Sequence, residues 1–341
     1  MAGNSRAGFF AFRSRAARLH GWIQRRTPLV RKLGDLLVRV ATSRYAWLEL
    51  PRSVGLVEAC IEAWPTAWQR SGMAECRGLW HGYRLRLDLA DYFQRLDYYL
   101  RRYHDGPLQH LIHRAVHPGD TVIDGGANHG LVSLFAAWRV GPEGLVHSFE
   151  PNPRMLDQIR WHVDTNALDQ VKVHPCGVSD REEELELQVP GGDNFGAGTF
   201  APAPARYGGT TLGSWRARVA RVDDLALELR GSLVIKLDVE GFEIRALEGM
   251  RNTIEAHQPL IISEVNDEML RQAGASAPEL LRWFALLGYR PFAFSTARAA
   301  IRQRQLVLRP VAEHEPLPPD LAFVRPGSKA ARRLGTDALR G

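Results

Sequence analysis

The chain has 341 residues, 45% of them hydrophobic, and a formal net charge of +6. That apolar content supports a sizeable core and excludes a wholly disordered chain, and no apolar run is long enough to span a bilayer. Cys60, Cys76 and Cys176 are scattered, with neither zinc spacing nor a paired framework, so reduced thiols in a cytoplasmic compartment are expected.

The charge is concentrated at the ends. Residues 1–50 carry ten Arg or Lys against Asp35 and Glu49, and the tail after Ser328 adds Lys329, Arg332, Arg333 and Arg340 against Asp337. Arginine outnumbers lysine 40 to 4, which reads as coding bias; without interleaved aromatics, no nucleic-acid partner is expected. Thr27-Pro28 suits an N-cap and first helical position, after which Leu29, Leu33, Leu36, Leu37 and Val40 share one face. Such a basic amphipathic segment packs on protein, the preferred reading, or lies on an anionic membrane through residues 1–45, making the protein membrane-peripheral. No apolar core of a cleaved signal follows the basic residues, although an Arg-rich, acid-poor start also suits a transit peptide. Residues 1–80 are therefore expected to be a mainly helical appendage, 81–326 the principal domain, and 327–341 a disordered basic tail. The oligomeric state is open.

From Tyr83 the pattern predicts a strand to Leu89 and a helix over Asp91–Arg114. Strands at 120–124, 145–150 and 171–175 then alternate with helices at 129–139 and 153–166. A short strand, Glu183–Gln188, precedes a Gly-, Ala- and Pro-rich stretch, 189–217, expected to be a long loop acting as a lid, with Trp215 as an aromatic wall. Strand 232–238, helix 242–256, strand 259–264, helix 277–287, strand 289–295 and a final pair near 304–309 and 321–325 follow. Alternation of this kind predicts an α/β fold, a mostly parallel doubly wound sheet of Rossmann-like type, with ligands at the carboxyl ends of its strands.

Residues 121–130, Thr-Val-Ile-Asp-Gly-Gly-Ala-Asn-His-Gly, are the most informative stretch. A β-branched run ends in Asp124, and Gly126, Asn128 and Gly130 permit a tight turn into a helix. Glu150, after the next strand, is spaced to hold a ribose. A dinucleotide fingerprint would need a glycine at Ala127, where pyrophosphate approaches. The acid at Asp124 suits instead the amino group and sulfonium of S-adenosylmethionine. A nicotinamide-dependent oxidoreductase is the alternative.

A second constellation follows the strand at 232–238. Asp238 ends it, Glu240 and Gly241 turn the chain, and Glu264 with Asn266 ends the next strand. Carboxylates clustered there must be paired, protonated or bound to a cation. Glu243 reads as a helix N-terminal acid.

These stretches resemble the FkbM-type methyltransferases, a family of the S-adenosylmethionine-dependent Rossmann-like class. The resemblance rests on residues 118–130, Ser148-Phe-Glu-Pro-Asn152, Gly177-Val-Ser-Asp180, Val222-Asp-Asp-Leu225, residues 235–243 and Glu264. It covers roughly residues 80–325. It implies methyl transfer to a hydroxyl on a sugar, glycan or secondary metabolite, with Gly126, Asn128 and Gly130 shaping the methionine pocket, Glu150 on the ribose, and Ser179 and Asp180 bordering the adenine. Asp238 is then the first candidate for base or metal ligand. Glu264 and Asn266 are placed like further ligands in magnesium-dependent O-methyltransferases of the catechol type, so Mg2+ is weighed against a metal-free base, which is preferred. Lys236 either stabilises developing negative charge or pairs with Asp238. Val239-Glu240-Gly241 lacks the Asn/Asp-Pro-Pro-aromatic clamp of amine methylation, which favours an oxygen acceptor. A module that binds the donor without catalysis is the remaining rival.

Overall fold

Strands β3 (Thr121–Gly125), β4 (Leu145–Phe149) and β9 (Leu233–Leu237) are buried at every position, as strands in the middle of a parallel sheet covered on both faces should be. The computed structural model describes residues 72–201, 211–300, 303–312 and 315–338. The amphipathic helix expected after Thr27 and the membrane-facing residues 1–45 lie outside them. The chain divides into two compact units, Met1–His104 with Ala300–Arg302, and Asp105–Ala299 with Gln303–Gly341.

In the first unit, β1 (Met73–Arg77) pairs antiparallel with β2 (Arg84–Asp88), and α1 (Tyr92–Leu100) comes next. The hairpin straddles the expected boundary at residue 80, pairing residues 73–77 with the strand at 84–88. The expected long helix to Arg114 is two helices. Arg101 adopts a left-handed φ of 56° at the end of α1, and Asp105 caps α2 (Gly106–Ala115), which carries a proline in its first turn. The Asp105-Gly106-Pro107 start signal was present in the sequence.

The second unit holds an eight-stranded sheet. Beyond β3 and β4 come β5 (Val171–His174), β10 (Leu260–Glu264), β11 (Arg290–Ala300), β12 (Gln303–Pro310) and β13 (Asp320–Val324). The order is β12-β11-β13-β10-β9-β3-β4-β5, with β5, β4, β3, β9 and β10 parallel and β13 antiparallel to both β10 and β11. This is a Rossmann-like α/β sheet. The chain runs outward through α3 (Leu131–Val140) and α4 (Pro153–Thr165) to β5, then returns to β9 beside β3. In open α/β sheets such a reversal is where ligands bind, at the carboxyl ends of the flanking strands, here β3 and β9.

Between β5 and β9 lies a small sheet of β6 (Gly177–Val178), β7 (Glu183–Pro190) and β8 (Thr211–Ala220). β8 runs through residues expected to be loop, pairing antiparallel with β7 from Glu183↔Val219 to Pro190↔Thr211. Its outer half is exposed and holds Gly213 and Ser214, so the period-two signal is lost. Trp215 is 37% exposed on this strand, opposite Leu187, instead of walling a pocket. The helix expected over 242–256 is α5 (Glu243–Glu248) and α6 (Arg251–His257). Between them Gly249 has the Ser179 carbonyl 1.9 Å from where a Cβ would stand.

Farther on, α7 (Asp267–Gln272) and α8 (Ala277–Leu286) precede β11. Phe284 of α8 stacks on Phe323 of β13, ring centroids 3.6 Å apart. Phe284→Ala is expected to lower unfolding free energy by about 3–5 kcal/mol in urea titration, because both rings are fully buried. The expected disordered tail is ordered over its described part. Ser328 caps α9 (Lys329–Leu334), Ala331 is buried, and Arg333 pairs with Asp120 while donating to the Ala115 carbonyl at 2.9 Å. Composition marked this segment as solvated; a buried carboxylate, Asp120, fixes its arginine.

Candidate functional site

β3 delivers its chemistry through the turn that ends it. Gly126 has φ 75° and Gly130 φ 88°, and a Cβ on Gly126 would stand 1.9 Å from the Asp238 carbonyl oxygen. The turn is thus pressed against the end of β9, and no larger residue fits. Asn128 takes a left-handed φ of 52°, tolerable for Asn, and its side-chain oxygen accepts the His129 N–H at 2.8 Å. Gly130 leads directly into α3, whose first N–H groups have no side-chain cap.

Glu150, just past β4, is 5% exposed. One carboxylate oxygen accepts the Asn128 N–H at 2.7 Å and the other the Asn152 N–H at 2.8 Å. Burial pushes its pKa up to about 7 against the pull of those two N–H donors. The acid expected for ribose therefore sits against the glycine turn.

Asp124 is placed differently from its expected role. It is fully buried, Oδ2 accepts the Ser133 hydroxyl at 2.6 Å, and Lys236 Nζ lies 3.4 Å from Oδ1. Its burial raises its pKa while Lys236 and Ser133 pull the other way. A carboxylate sealed by Ser133 and neutralised by Lys236 cannot meet a sulfonium or amino group directly. Ser133, in turn bonded by Ser148 at 2.7 Å, was not foreseen; only the packing of α3 on β4 brings it there.

Lys236 is 5% exposed and bridges Asp124 and Asp238, the latter at 3.5 Å, while donating to the Gly126 carbonyl at 2.8 Å. Burial alone would lower its pKa; Asp238 and Asp124 raise it overall, so it is a fixed cation. Of the two readings of Lys236, this geometry is that of the ion pair. It also stitches the glycine turn to the end of β9. Asp238 keeps its side chain 37% exposed.

The turn after Asp238 is tightly held. Glu240 adopts φ 52° and Gly241 φ 102°. Glu243, 1% exposed, accepts the N–H groups of Val239 and Gly241, both at 3.2 Å, and burial raises its pKa to about 7. It is thus an internal clamp on the turn as well as an acid in the first turn of α5.

Glu264, at the end of β10, has its pKa raised to about 10 by burial, then by the nearby charges of Asp238, Glu240, Glu243 and Asp320. Its Oε2 is buried without a hydrogen-bond partner. Asn266 caps α7, its side-chain oxygen accepting from Met269 N–H at 3.3 Å. Of the set expected for Mg2+ with Asp238 and Glu264, Asn266 thus spends its side-chain oxygen on this cap. Among the described residues, no group of three or more His, Cys, Asp or Glu side chains is arranged to hold a metal.

Ser179 and Asp180, expected to border the adenine, follow Val178, whose side chain lies 3.3 Å from where a Cβ on Gly125 would stand. The Ser179 N–H donates to Ala220 O at 2.9 Å, and Asp180 accepts from Arg245 Nε at 2.7 Å, which lowers the Asp180 pKa although its partial burial acts the other way. Arg245 also pairs with Glu183. The residue that ends β5 beside Glu150 is His174, whose ring stacks on Phe149 at 4.3 Å and whose carbonyl accepts the Glu150 N–H at 3.2 Å.

A segment expected to be a lid does lie against these groups. The Phe195 carbonyl accepts from Asn152 Nδ2 at 3.0 Å, Arg154 stacks over the Phe195 ring at 3.9 Å, and a Cβ on Gly196 would stand 2.2 Å from Asn128 Nδ2. Thr199, fully buried, donates to the Glu240 carbonyl at 2.9 Å. One short segment therefore touches the glycine turn, the start of α4 and the turn after Asp238.

A family model of the methyltransferase FkbM domain matches residues 124–291. Two curated relatives are similar: the AMB antimetabolite synthetase AmbE of Pseudomonas aeruginosa, 31% identical over 47% of this chain and 9% of its own length, and the 31-O-demethyl-FK506 methyltransferase FkbM of Streptomyces tacrolimicus, 27% identical over 44% of this chain and 66% of its own. The chain spans less than two thirds of either. A crystal structure of a methyltransferase FkbM from Methylobacillus flagellatus is 17% identical, with a TM-score of 0.35, covering 79% of this chain and 60% of that one.

Proposed function

The chain carries a methyltransferase FkbM domain over residues 124–291, and from that premise we propose that it transfers a methyl group from S-adenosylmethionine to a hydroxyl of a sugar, glycan or secondary metabolite. The observation that carries this reading is the contact of Glu150 with a turn whose glycine has no room for a side chain, beside the half-exposed carboxylate of Asp238. Support for an oxygen acceptor comes from the turn at 239–241, which has no planar amine clamp, and from a relative named for acting on an O-demethyl compound.

The donor supplies a methyl group already activated on its sulfonium. What remains for the protein is alignment at near-attack distance, about 3 Å, and management of one proton. Gly126 and Gly130 let the donor approach backbone, and Glu150 accepts the ribose hydroxyls. Asp238 takes the acceptor hydroxyl proton at its exposed carboxylate. Lys236 stays paired and fixes the Asp238 strand end against the donor turn. Glu264, its pKa raised by burial and by the charge of Asp238, favours its neutral form beside that base.

The direct test incubates the protein with S-adenosylmethionine labelled in its methyl group and extracts of glycans and secondary metabolites. Transfer of label to an acid- and base-stable ether supports the reading; label on nitrogen, or none, overturns it. Asp238→Asn is expected to cut the rate of label transfer by about a hundredfold or more while changing the Kd for S-adenosylhomocysteine less than threefold, roughly. Unchanged turnover would remove Asp238 from the role of base and leave the donor pocket standing.

A further inference from the structure

We propose that Thr199 is a positioning residue for methyl transfer, holding the turn that aims Asp238 at the acceptor. This rests on the reading of Asp238 as the base.

The turn after β9 bends in a way its residues resist. Glu240 is a non-glycine residue at φ 52°, and Gly241 is next at φ 102°, with the Met269 carbonyl 2.5 Å from where its Cβ would be. Left-handed backbone at Glu240 persists only if its surroundings impose it. Two side chains do so. Glu243, on the next helix, takes the N–H groups of Val239 and Gly241. Thr199 approaches from the hairpin, 41 positions away in sequence, and donates its hydroxyl to the Glu240 carbonyl, which directly precedes the Gly241 N–H.

Thr199 is itself fixed. It is fully buried, its backbone exchanges both hydrogen bonds with Gln188 at 2.9 Å, and its hydroxyl accepts the Ala201 N–H at 3.1 Å. The hydroxyl thus has one donor and one acceptor partner and no freedom to rotate. The adjacent Phe200 ring packs on Phe242 at 5.4 Å, so the same segment grips the turn at a second point. The Asp238 side chain remains half exposed, with Lys236 as a partner at 3.5 Å. Its aim is therefore set by backbone, and the backbone is set by Thr199 and Glu243.

The alternative for Thr199 is an ordinary buried hydroxyl that stabilises the hairpin. The two roles separate experimentally. Thr199→Val keeps the shape and removes the donor, Thr199→Ser keeps the donor, and both are measured in the full chain. Label transfer from S-adenosylmethionine into the acceptor extract gives apparent kcat and the KM for the donor. Hydrogen exchange followed by mass spectrometry reports the backbone at 239–242, and titration with S-adenosylhomocysteine reports the donor pocket.

The expected result is a ten- to hundredfold loss of kcat, roughly, in Thr199→Val, with donor KM and S-adenosylhomocysteine affinity within about threefold of wild type. Exchange at 239–242 should quicken while that at 126–130 does not, and Thr199→Ser should restore most of the rate. Equal kcat in Thr199→Val and wild type overturns the inference alone. So does a variant whose affinity, melting temperature and exchange deteriorate everywhere while Thr199→Ser behaves no better. A wild-type protein that transfers no label overturns the proposed function, and this inference with it.

Discussion

Gly126→Ala is expected to abolish measurable binding of S-adenosylhomocysteine, raising Kd by at least about a hundredfold, and to lower unfolding free energy by roughly 2–4 kcal/mol. The added carbon would stand 1.9 Å from the Asp238 carbonyl oxygen and 2.9 Å from its carbon, so backbone, rather than a flexible side chain, must move. The displaced strand end also carries the Lys236–Asp238 pair, whose ammonium bonds the Gly126 carbonyl. Calorimetric titration and thermal melts of the variant measure both effects. Gly119→Ala provides the control. It shares a left-handed φ of 83° but has open space around it, so only the conformational cost remains and donor affinity should not change. If the two variants bind alike, the close approach of β3 and β9 is not what shapes the pocket.

Glu150→Gln is the second large effect, and pH exposes its origin. The carboxylate, raised to about 7 by burial, accepts two backbone N–H groups and, in the proposed complex, ribose hydroxyls. Only the ionised form accepts at every oxygen. Below the raised pKa a proton must be lost before binding, so Kd for S-adenosylhomocysteine should fall about tenfold from pH 6 to pH 8. The glutamine variant presents an NH2 group to N–H donors. It should bind about ten- to a hundredfold more weakly at pH 8, and with no pH dependence across this interval. Stability carries the opposite sign. A carboxyl whose folded pKa lies above its unfolded value binds its proton more tightly when folded, so its contribution is full below about pH 4.5 and declines as pH rises toward 7. Chemical denaturation of ligand-free protein at pH 5 and pH 8 should show that decline reduced in Glu150→Gln.

What could be read in the sequence was what lies on one strand and the turn after it. The stretches 121–123 and 233–235 show no polar alternation because both faces of the sheet are covered, and the glycines and Asn128 mark a turn whatever surrounds them. Glu150 stands against that turn because one crossover fixes both. Side-chain partners across elements were not legible. Asp124 looked like a ligand for a cationic sulfur, but its charge is consumed by Lys236, reached from a neighbouring strand 112 positions later in the chain (236 − 124). The partner of Asp180 was equally hidden: β6 leaves the main sheet to pair with β8, and Asp180 meets Arg245, 65 positions later. Asn266 and Glu264 matched a metal-ligand spacing; the helix start at Asp267 claims the Asn266 side-chain oxygen. The hairpin strand β8 was missed because its exposed, glycine-containing half is stabilised by pairing with β7 and has little strand signal of its own.

The most direct test is isothermal titration of the purified full-length chain with S-adenosylmethionine, S-adenosylhomocysteine and NAD+ in parallel at pH 8. Saturable, one-to-one heats with both sulfur nucleosides and none with NAD+ are predicted. Binding of NAD+ with silence toward the other two would contradict the account at its root.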